Sequence, residues 1–154
     1  MTGSEDTVIK QALPLLMLKA SDGQIDGTTR FQKLVFLAQK GDIESIDSFP
    51  EKYQYEYEAH NYGPYSKELD EILKAYIEEG IVSKQSVPTY SGNTKIVYEL
   101  DRPDILDGIN IDKINKMKQI SEEISSEFGD TPLFDLMDYV YDRYEEYTVN
   151  SVYR

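Results

Sequence analysis

The chain has no cysteine, no tryptophan and a single histidine, His60. Without cysteine it can form neither a disulfide framework nor a cysteine-ligated zinc or iron–sulfur site, and thiol catalysis is excluded. One histidine cannot build a histidine-cluster zinc site within one chain. The glycines form no phosphate-binding loop, because Gly63 and Gly92 stand alone. We therefore predict no metal, no cofactor and no enzymatic activity.

Long apolar runs are also missing. No run approaches the ~18 residues that a membrane-spanning helix needs. Residues 1–6 are polar and acidic, whereas a signal peptide begins with basic residues. These two observations predict a cytoplasmic protein with no membrane partner.

Basic residues are scarce, since 16 Lys and Arg stand against 29 Asp and Glu and give a formal net charge of −13. Such a charge keeps a protein soluble and repels nucleic acid at long range. A saline cytoplasm would explain the same acidity, because proteins of salt-loving organisms are generally acidic. The charge alone does not separate these two explanations.

The 154 residues are enough for one domain with its own core, and 40% apolar with 29% charged residues is a globular composition. We expect residues 1–6 to be a disordered tail and residues 7–154 to form a single domain. Within that domain, residues 110–147 are expected to supply C-terminal helices.

Apolar spacing predicts the elements of the first part of the chain. A helix is expected over residues 7–20, where Pro14 kinks it or starts its second half. Ile25 lies in a short extended segment. A second helix is expected over residues 29–40, with Thr29 and Gln32 as a capping box and Gly41 as its end.

The second part alternates between strands and helices. We predict a loop over residues 41–52 and a strand over residues 53–59, with Tyr53, Tyr55 and Tyr57 on one face of the strand. A third helix is expected from Pro64 to Glu79. Residues 81–87 and 94–100 predict a β-hairpin. The last two helices are expected over residues 112–128 and after Thr131, which would cap the second.

A helix followed directly by a twisted hairpin is the winged-helix arrangement. We therefore predict an α+β fold, a winged-helix-like domain with a C-terminal helical extension.

Two segments resemble a known family. Residues 27–39, GTTRFQKLVFLAQ, correspond to its K-L-Q-K-L-x-Y-x-A-Q helix, and residues 57–66, YEAHNYGPYS, to its F-E-A-x-x-Y-G-P turn. With these motifs the chain resembles the SocA/Panacea superfamily, specifically its YwgA-like branch, and the ending around Tyr139 and Tyr147 is also similar. The resemblance implies a winged-helix-like fold without catalysis. Some members act as antitoxins or proteolytic adaptors, and others are regarded as transcriptional regulators, so the resemblance leaves function open.

Two observations count against ordinary DNA binding. Residues 41–63 separate the second and third helices, so the tight turn of a helix-turn-helix is absent. The third helix, which would read DNA, holds Lys67 and Lys74 against five acids and carries a net charge of −3. Dense phosphate charge would repel it unless those acids face away.

Five residues are candidates for partner contact. Arg30 and Lys33 lie on the only clearly basic helix, where they contact an acidic partner or phosphate, or else pair with this chain's own carboxylates. His60 is a pH switch or contact residue, or else it fixes the turn. Tyr62 and Tyr65 belong to a tyrosine cluster that suits an interface or an ordinary core. The tyrosines 139, 141, 144 and 147 cannot all face one core, so some are expected to be exposed.

We therefore expect a non-catalytic protein-interaction module, antitoxin-like or adaptor in type, with a protein partner. The alternative is a winged-helix transcriptional regulator, acting as a homodimer, whose DNA contacts are Arg30, Lys33, Lys67, Lys84 and Lys95.

Overall fold

Helices and two small antiparallel sheets make up the computed structural model, which describes residues 4–41 and 49–153. The helices are α1 (Glu5–Ala20), α2 (Thr28–Lys40), α3 (Lys67–Glu78), α4 (Asp112–Phe128) and α5 (Leu133–Arg143). The strands are β1 (Gln24–Asp26), β2 (Glu58–His60), β3 (Gly63–Tyr65), β4 (Val82–Pro88) and β5 (Thr94–Leu100). The α+β class is confirmed. None of the helices among the described residues is long and apolar enough to cross a membrane.

The larger sheet has the order β1-β5-β4, and both pairings are antiparallel. The predicted hairpin is confirmed: Val82 lies opposite Leu100, and Pro88 lies opposite Thr94. Ile25 pairs with Tyr98, which confirms the short extended segment between the first two helices. The smaller sheet is the hairpin β2–β3, which lies between α2 and α3 in the chain.

Helix α2 lies at the centre of the fold. Residues 31–39 are all buried, because α1, α4, α5 and β3 pack around the helix. The apolar stripe of the sequence predicts one buried face, and the structure buries the polar face as well. The predicted end is confirmed, since Gly41 adopts the left-handed conformation at φ 69°.

Helix α1 contains Pro14, whose ring nitrogen has no hydrogen to give to the carbonyl of Lys10. The hydroxyl of the buried Tyr55 donates to that carbonyl instead. The hydroxyl of Tyr76 donates to the next carbonyl, that of Gln11, over 2.7 Å. Two tyrosines from outside the helix therefore satisfy acceptors beside the proline, and α1 continues through it.

The predicted starts of the first two helices need correction. Helix α1 begins at Glu5, because the Ser4 side chain caps it, so residues 5 and 6 are not a tail; residues 1–3 lie outside the described part. Helix α2 begins at Thr28 after Gly27 and has no side-chain cap. The predicted capping box is wrong, because Gln32 is buried and its amide bonds elsewhere.

The strand predicted over residues 53–59 is also wrong, except for its last two residues. Tyr53 lies in a short 3₁₀ turn, Glu51–Tyr53, and pairing begins only at Glu58. Tyr53 and Tyr55 are buried by packing against helices rather than by a sheet. The loop predicted over residues 41–52 lies largely outside the described residues.

The later helices differ from prediction mainly at their starts. Pro64 lies in β3 instead of opening α3, and Ser66 caps α3 by accepting from the Leu69 amide over 3.1 Å. Helix α4 has the predicted bounds. Helix α5 begins after Pro132, and Thr131 does not cap it.

The tyrosines near the end of the chain pack internally. Tyr144 and Tyr147 stand edge-on to the Phe36 ring, at centroid distances of 4.8 and 5.3 Å. Tyr139 packs on Phe128, and Tyr141 is fully buried. The prediction that some of these four rings are exposed is wrong, because they pack against different elements rather than one face.

Candidate functional site

Three buried polar side chains of α2 hold the segment that runs from residue 53 to residue 66. Gln32 acts as a backbone mimic: its Nε2 donates to the Ser66 carbonyl over 3.0 Å, and its Oε1 accepts from the Ser66 amide over 2.8 Å. Both atoms of the amide are thereby used, as burial requires. This pair fixes the residue that caps α3.

Gln39, about two helical turns after Gln32, binds the start of the same segment in a similar way. Its Nε2 donates to the Tyr53 carbonyl over 3.2 Å. Its Oε1 accepts from the Tyr55 amide over 2.9 Å and from the Tyr57 hydroxyl over 2.8 Å. The alternating tyrosines are therefore ordered by one glutamine and by α1, without a partner strand.

Lys33 lies between the two glutamines and is only 2% exposed. Its Nζ donates to the Pro64 carbonyl over 3.0 Å, and no carboxylate among the described residues pairs with it. Burial lowers the pKa of Lys33 from 10.5 to about 7, because the charged form loses hydration without gaining a counter-charge. The expected pairing with this chain's own carboxylates is therefore wrong for Lys33.

Gly63 allows this close packing. Its φ is +96°, and a Cβ there would stand 2.6 Å from Cε1 of Tyr141 and 3.4 Å from Cε of Lys33. Only glycine meets both conditions without strain. The Gly-Pro pair is therefore the point at which β3, α2 and α5 meet.

The structure brings four of the five predicted partner-binding residues to one cavity of about 210 Å³. We call this cavity the Lys33 pocket. It is lined by Lys33, His60, Tyr62 and Tyr65, together with Thr28, Thr29, Gln32, Asn61 and Gly63.

The rim of the Lys33 pocket is formed by the β2–β3 hairpin. His60 stacks on Tyr65 at a centroid distance of 4.6 Å, and its Nε2 lies 3.5 Å from a carboxylate oxygen of Glu58. Desolvation raises the pKa of Tyr65, with a further contribution from Asp70. Tyr62 is 48% exposed. Tyr62 and Tyr65 thus both line the pocket, and the Tyr65 hydroxyl also bonds to Asp70.

The fifth predicted residue, Arg30, does not join this pocket. Its Nη1 donates to the carbonyls of Gly129 and Thr131, over 3.2 and 2.7 Å. These bonds tie α2 to the turn between α4 and α5, so the guanidinium is used inside the fold. The sequence predicts that Arg30 contacts a partner or pairs with a carboxylate of this chain, whereas in the structure it binds backbone carbonyls.

The predicted DNA contacts do not converge on one surface. Lys33 is buried, Lys67 lies 3.5 Å from Glu58, and Lys95 lies 2.8 Å from Asp26, whose pKa the lysine lowers. Lys84 faces Tyr98 across the hairpin, whereas Lys95 pairs with Val87, three residues further along β4. Side chains alternate along a strand, so these two lysines point to opposite faces.

An exposed apolar surface escaped sequence reasoning. Four exposed apolar side chains lie on segments that contact one another: Tyr62 at 48%, Phe134 at 64%, Val149 at 75% and Val152 at 67% exposure. We call this surface the apolar face. Phe134 stacks on Tyr153, and the Val152 amide donates to the Asn61 carbonyl, so α5, the end of the described chain and the β2–β3 turn are contiguous. The sequence feature that could have predicted this surface is Phe134, a large apolar residue that lies outside the apolar stripe of α5.

The chain matches no protein-family model, no curated protein and no solved structure. The family resemblance therefore stays a prediction from the motif residues.

Among the described residues, no group of three acidic or histidine side chains is placed to hold a metal ion. His60 faces Glu58 and Tyr65 rather than a serine or threonine hydroxyl. What the site offers is an apolar face beside a polar pocket.

Proposed function

We propose that the protein is a non-catalytic interaction module of the cytoplasm, antitoxin-like or adaptor in type, that binds another protein through the apolar face. The observation that carries the proposal is the exposure of Tyr62, Phe134 and Val152 on segments that contact one another. Clustered exposed apolar side chains on a soluble domain mark interaction surfaces, whereas scattered ones need no explanation.

The charge around the apolar face indicates the kind of partner. Residues 133–148 contain five acids and one arginine, which gives a net charge of −4. Interfaces combine an apolar centre with a charged rim, and complementary charge speeds association and selects the partner. The partner should therefore be a basic protein that places apolar side chains against Phe134 and Val152.

The same acidity argues against a second copy of this chain as the occupant. Two protomers of charge −13 would repel each other as these faces approached. A basic partner gains from the same field.

Affinity capture from the native cytoplasm tests the proposal. The wild-type protein and a Tyr90→Ser control should recover the same basic protein in stoichiometric amount, because Tyr90 is exposed at the tip of the β4–β5 hairpin, away from the apolar face. The double variant Phe134→Ser and Val152→Ser should lose it while keeping its circular dichroism spectrum. Equal recovery by all three proteins would contradict the proposed surface.

A DNA-binding regulator is the second candidate, and the β4–β5 hairpin favours it. Helix α3 is followed directly by that hairpin, and β1 adds a third strand, which is the order expected of a winged helix. Yet the exposed side of α3 presents Asp70, Glu71 and Glu78 against two bases, Lys67 and Lys74, and Lys67 already lies 3.5 Å from Glu58. Phosphate charge would oppose the docking of such a helix.

Binding to random and promoter duplexes across a salt series separates the two candidates. A regulator would bind one promoter preferentially, lose affinity steeply with salt and lose binding in the variant Lys67→Glu with Lys84→Glu. We expect no binding at the lowest salt at which the protein stays folded. Tight, promoter-specific binding would replace the first proposal with the second.

A further inference from the structure

Lys33 has an unusual environment for a chain so rich in acids. The sequence holds 29 carboxylate side chains, yet none among the described residues pairs with this buried cation. An ammonium has three N–H donors, and the only acceptor within hydrogen-bond distance in the described chain is the Pro64 carbonyl. Buried charges in proteins are ordinarily paired, so an anion placed beside the protonated amine as its counter-ion would be stabilised there.

The cavity next to Lys33 is where such a counter-ion would fit. The Lys33 pocket measures about 210 Å³. At ~30 Å³ for each water-sized group, it has room for about seven such groups. This space suits a compact organic molecule better than a single water.

The rest of the lining supplies further donors. Thr28 and Thr29 open α2. The Thr28 hydroxyl bonds to the Tyr98 hydroxyl over 2.9 Å, and the Thr29 side chain has no hydrogen-bond partner among the described residues. No side chain caps this end of the helix and no acid lies in its first turn. The first amides of a helix favour negative charge, and here they lie beside a buried cation rather than alone.

We propose that the Lys33 pocket binds a small molecule through an oxyanion group, a carboxylate or a phosphate, held by the Lys33 ammonium and the Thr29 hydroxyl. The proposal does not depend on the protein-interaction function, because it concerns a cavity in the hairpin and α2 rather than the apolar face. Tyr62 belongs to both, so a bound molecule would lie at the edge of the interaction surface.

Binding should be linked to protonation of Lys33. An oxyanion favours the charged ammonium and should raise its titration midpoint, and by linkage the affinity should fall as Lys33 loses its proton. The other titratable groups around the amine are His60, Tyr62 and Tyr65 of the β2–β3 hairpin and Tyr141 of α5. None of these is an acid that already neutralises Lys33.

The test follows the Lys33 Cε resonance by NMR in the full chain, in chloride buffer, with inorganic phosphate or sodium acetate added. We expect the midpoint to rise from about 7 by about one pH unit or more with the anion that fits. The Thr29 amide should shift with the same dependence on anion concentration. A shift with phosphate alone indicates a phosphate ligand, a shift with acetate alone a carboxylate, and a shift with both a general oxyanion site.

Two controls keep the test decisive. Sodium chloride at equal ionic strength should leave the Lys33 midpoint unchanged, and an equal shift with chloride would overturn the proposal as general screening. Lys33→Met should abolish the anion-dependent shift of the Thr29 amide, whereas Lys40→Met, at the end of the same helix, should keep it. If Lys33→Met does not fold, the wild-type titration still decides, because an unmoved midpoint with both anions refutes the site.

Discussion

Replacing Lys33 by methionine should make the protein more stable at neutral pH, because the fold buries this charge without compensation. The pKa of Lys33 falls from 10.5 to about 7. At ~1.4 kcal/mol for each pH unit, that fall corresponds to about 5 kcal/mol lost when the protonated side chain is buried. Methionine has a similar length and no charge, so the cost disappears.

The hydrogen bond to Pro64 reduces the gain. Methionine leaves the Pro64 carbonyl without its donor, and a buried acceptor left unsatisfied costs ~1–3 kcal/mol. The variant should therefore exceed the wild type by about 2–4 kcal/mol in free energy of unfolding near pH 6.5.

The pH dependence of this difference has a definite sign. Below pH 7 Lys33 is protonated in both the folded and the unfolded chain, so the full cost is present. Between pH 7 and 10.5 only the unfolded chain keeps the proton, and the stability of the wild type should rise by ~1.4 kcal/mol for each pH unit. The methionine variant lacks this slope, so the two curves should cross between about pH 8.5 and 10.

Urea unfolding followed by circular dichroism, from pH 6 to 9.5 in chloride buffers free of oxyanions, measures the effect. Lys40→Met is the matched control, because Lys40 lies on the same helix, is half-buried and bonds to Gln54. It should keep the slope of the wild type. A wild-type stability that is flat from pH 7 to 9, or a Lys33→Met curve parallel to it, would refute the description of Lys33 as a buried, unpaired cation.

Three other changes test the packing around the site by the same unfolding measurement. Gly63→Ala should lower the free energy of unfolding by about 2–4 kcal/mol, since it adds a clash to an unfavourable backbone angle. Gly27 has nearly the same φ but open space around it, so Gly27→Ala should lower the free energy of unfolding clearly less. Equal losses in the two variants would exclude the clash. Tyr55→Phe should cost about 1–3 kcal/mol in the wild type but less in a Pro14→Ala background, where the helix supplies its own donor; an unchanged cost would contradict that account. Gln39→Leu leaves three polar groups unpaired and should cost at least about 3 kcal/mol, and a loss below about 1 kcal/mol would show that water replaces the amide.

The regular elements could be predicted from the sequence because their signals are local. The bounds of α4 follow from an apolar residue every three or four positions, and the β4–β5 hairpin follows from alternation around a Ser-Gly-Asn turn. The end of α2 was readable from Gly41, which alone fits the left-handed conformation without strain.

The candidate site could not be predicted in the same way, because its contacts join distant parts of the chain. Gln32 and Ser66 are 34 residues apart, and Lys33 and Pro64 are 31 apart. Periodicity marks the apolar stripe of a helix and cannot show that other elements also cover its polar side. The sequence therefore predicts an exposed basic face for a helix that is in fact buried. It also predicts a strand where the tyrosines of residues 53–57 instead pack against helices.

The roles of the motif residues bear on how far the family resemblance reaches. Gln32 and Gln39 in the first motif, and Gly63 and Pro64 in the second, contact one another or neighbouring backbone inside the fold. A chain with the same residues can therefore hold the segment corresponding to residues 53–66 against its buried helix by the same hydrogen bonds. Because few of the motif side chains are free to meet a partner, such a chain need not share a partner.

Partner specificity should instead depend on exposed side chains, of which Phe134 and Val152 lie outside the two motifs and Tyr62 lies inside the second. Phe134 and Val152 are mostly exposed, and the one ring contact of Phe134 is its stacking on Tyr153 near the end of the described chain. Exchanging such side chains alters an interface at little cost to stability, whereas exchanging Gln39 or Gly63 disturbs the fold. Under the function proposed above, the choice of partner therefore depends on the apolar face rather than on the buried motif residues that fix the fold.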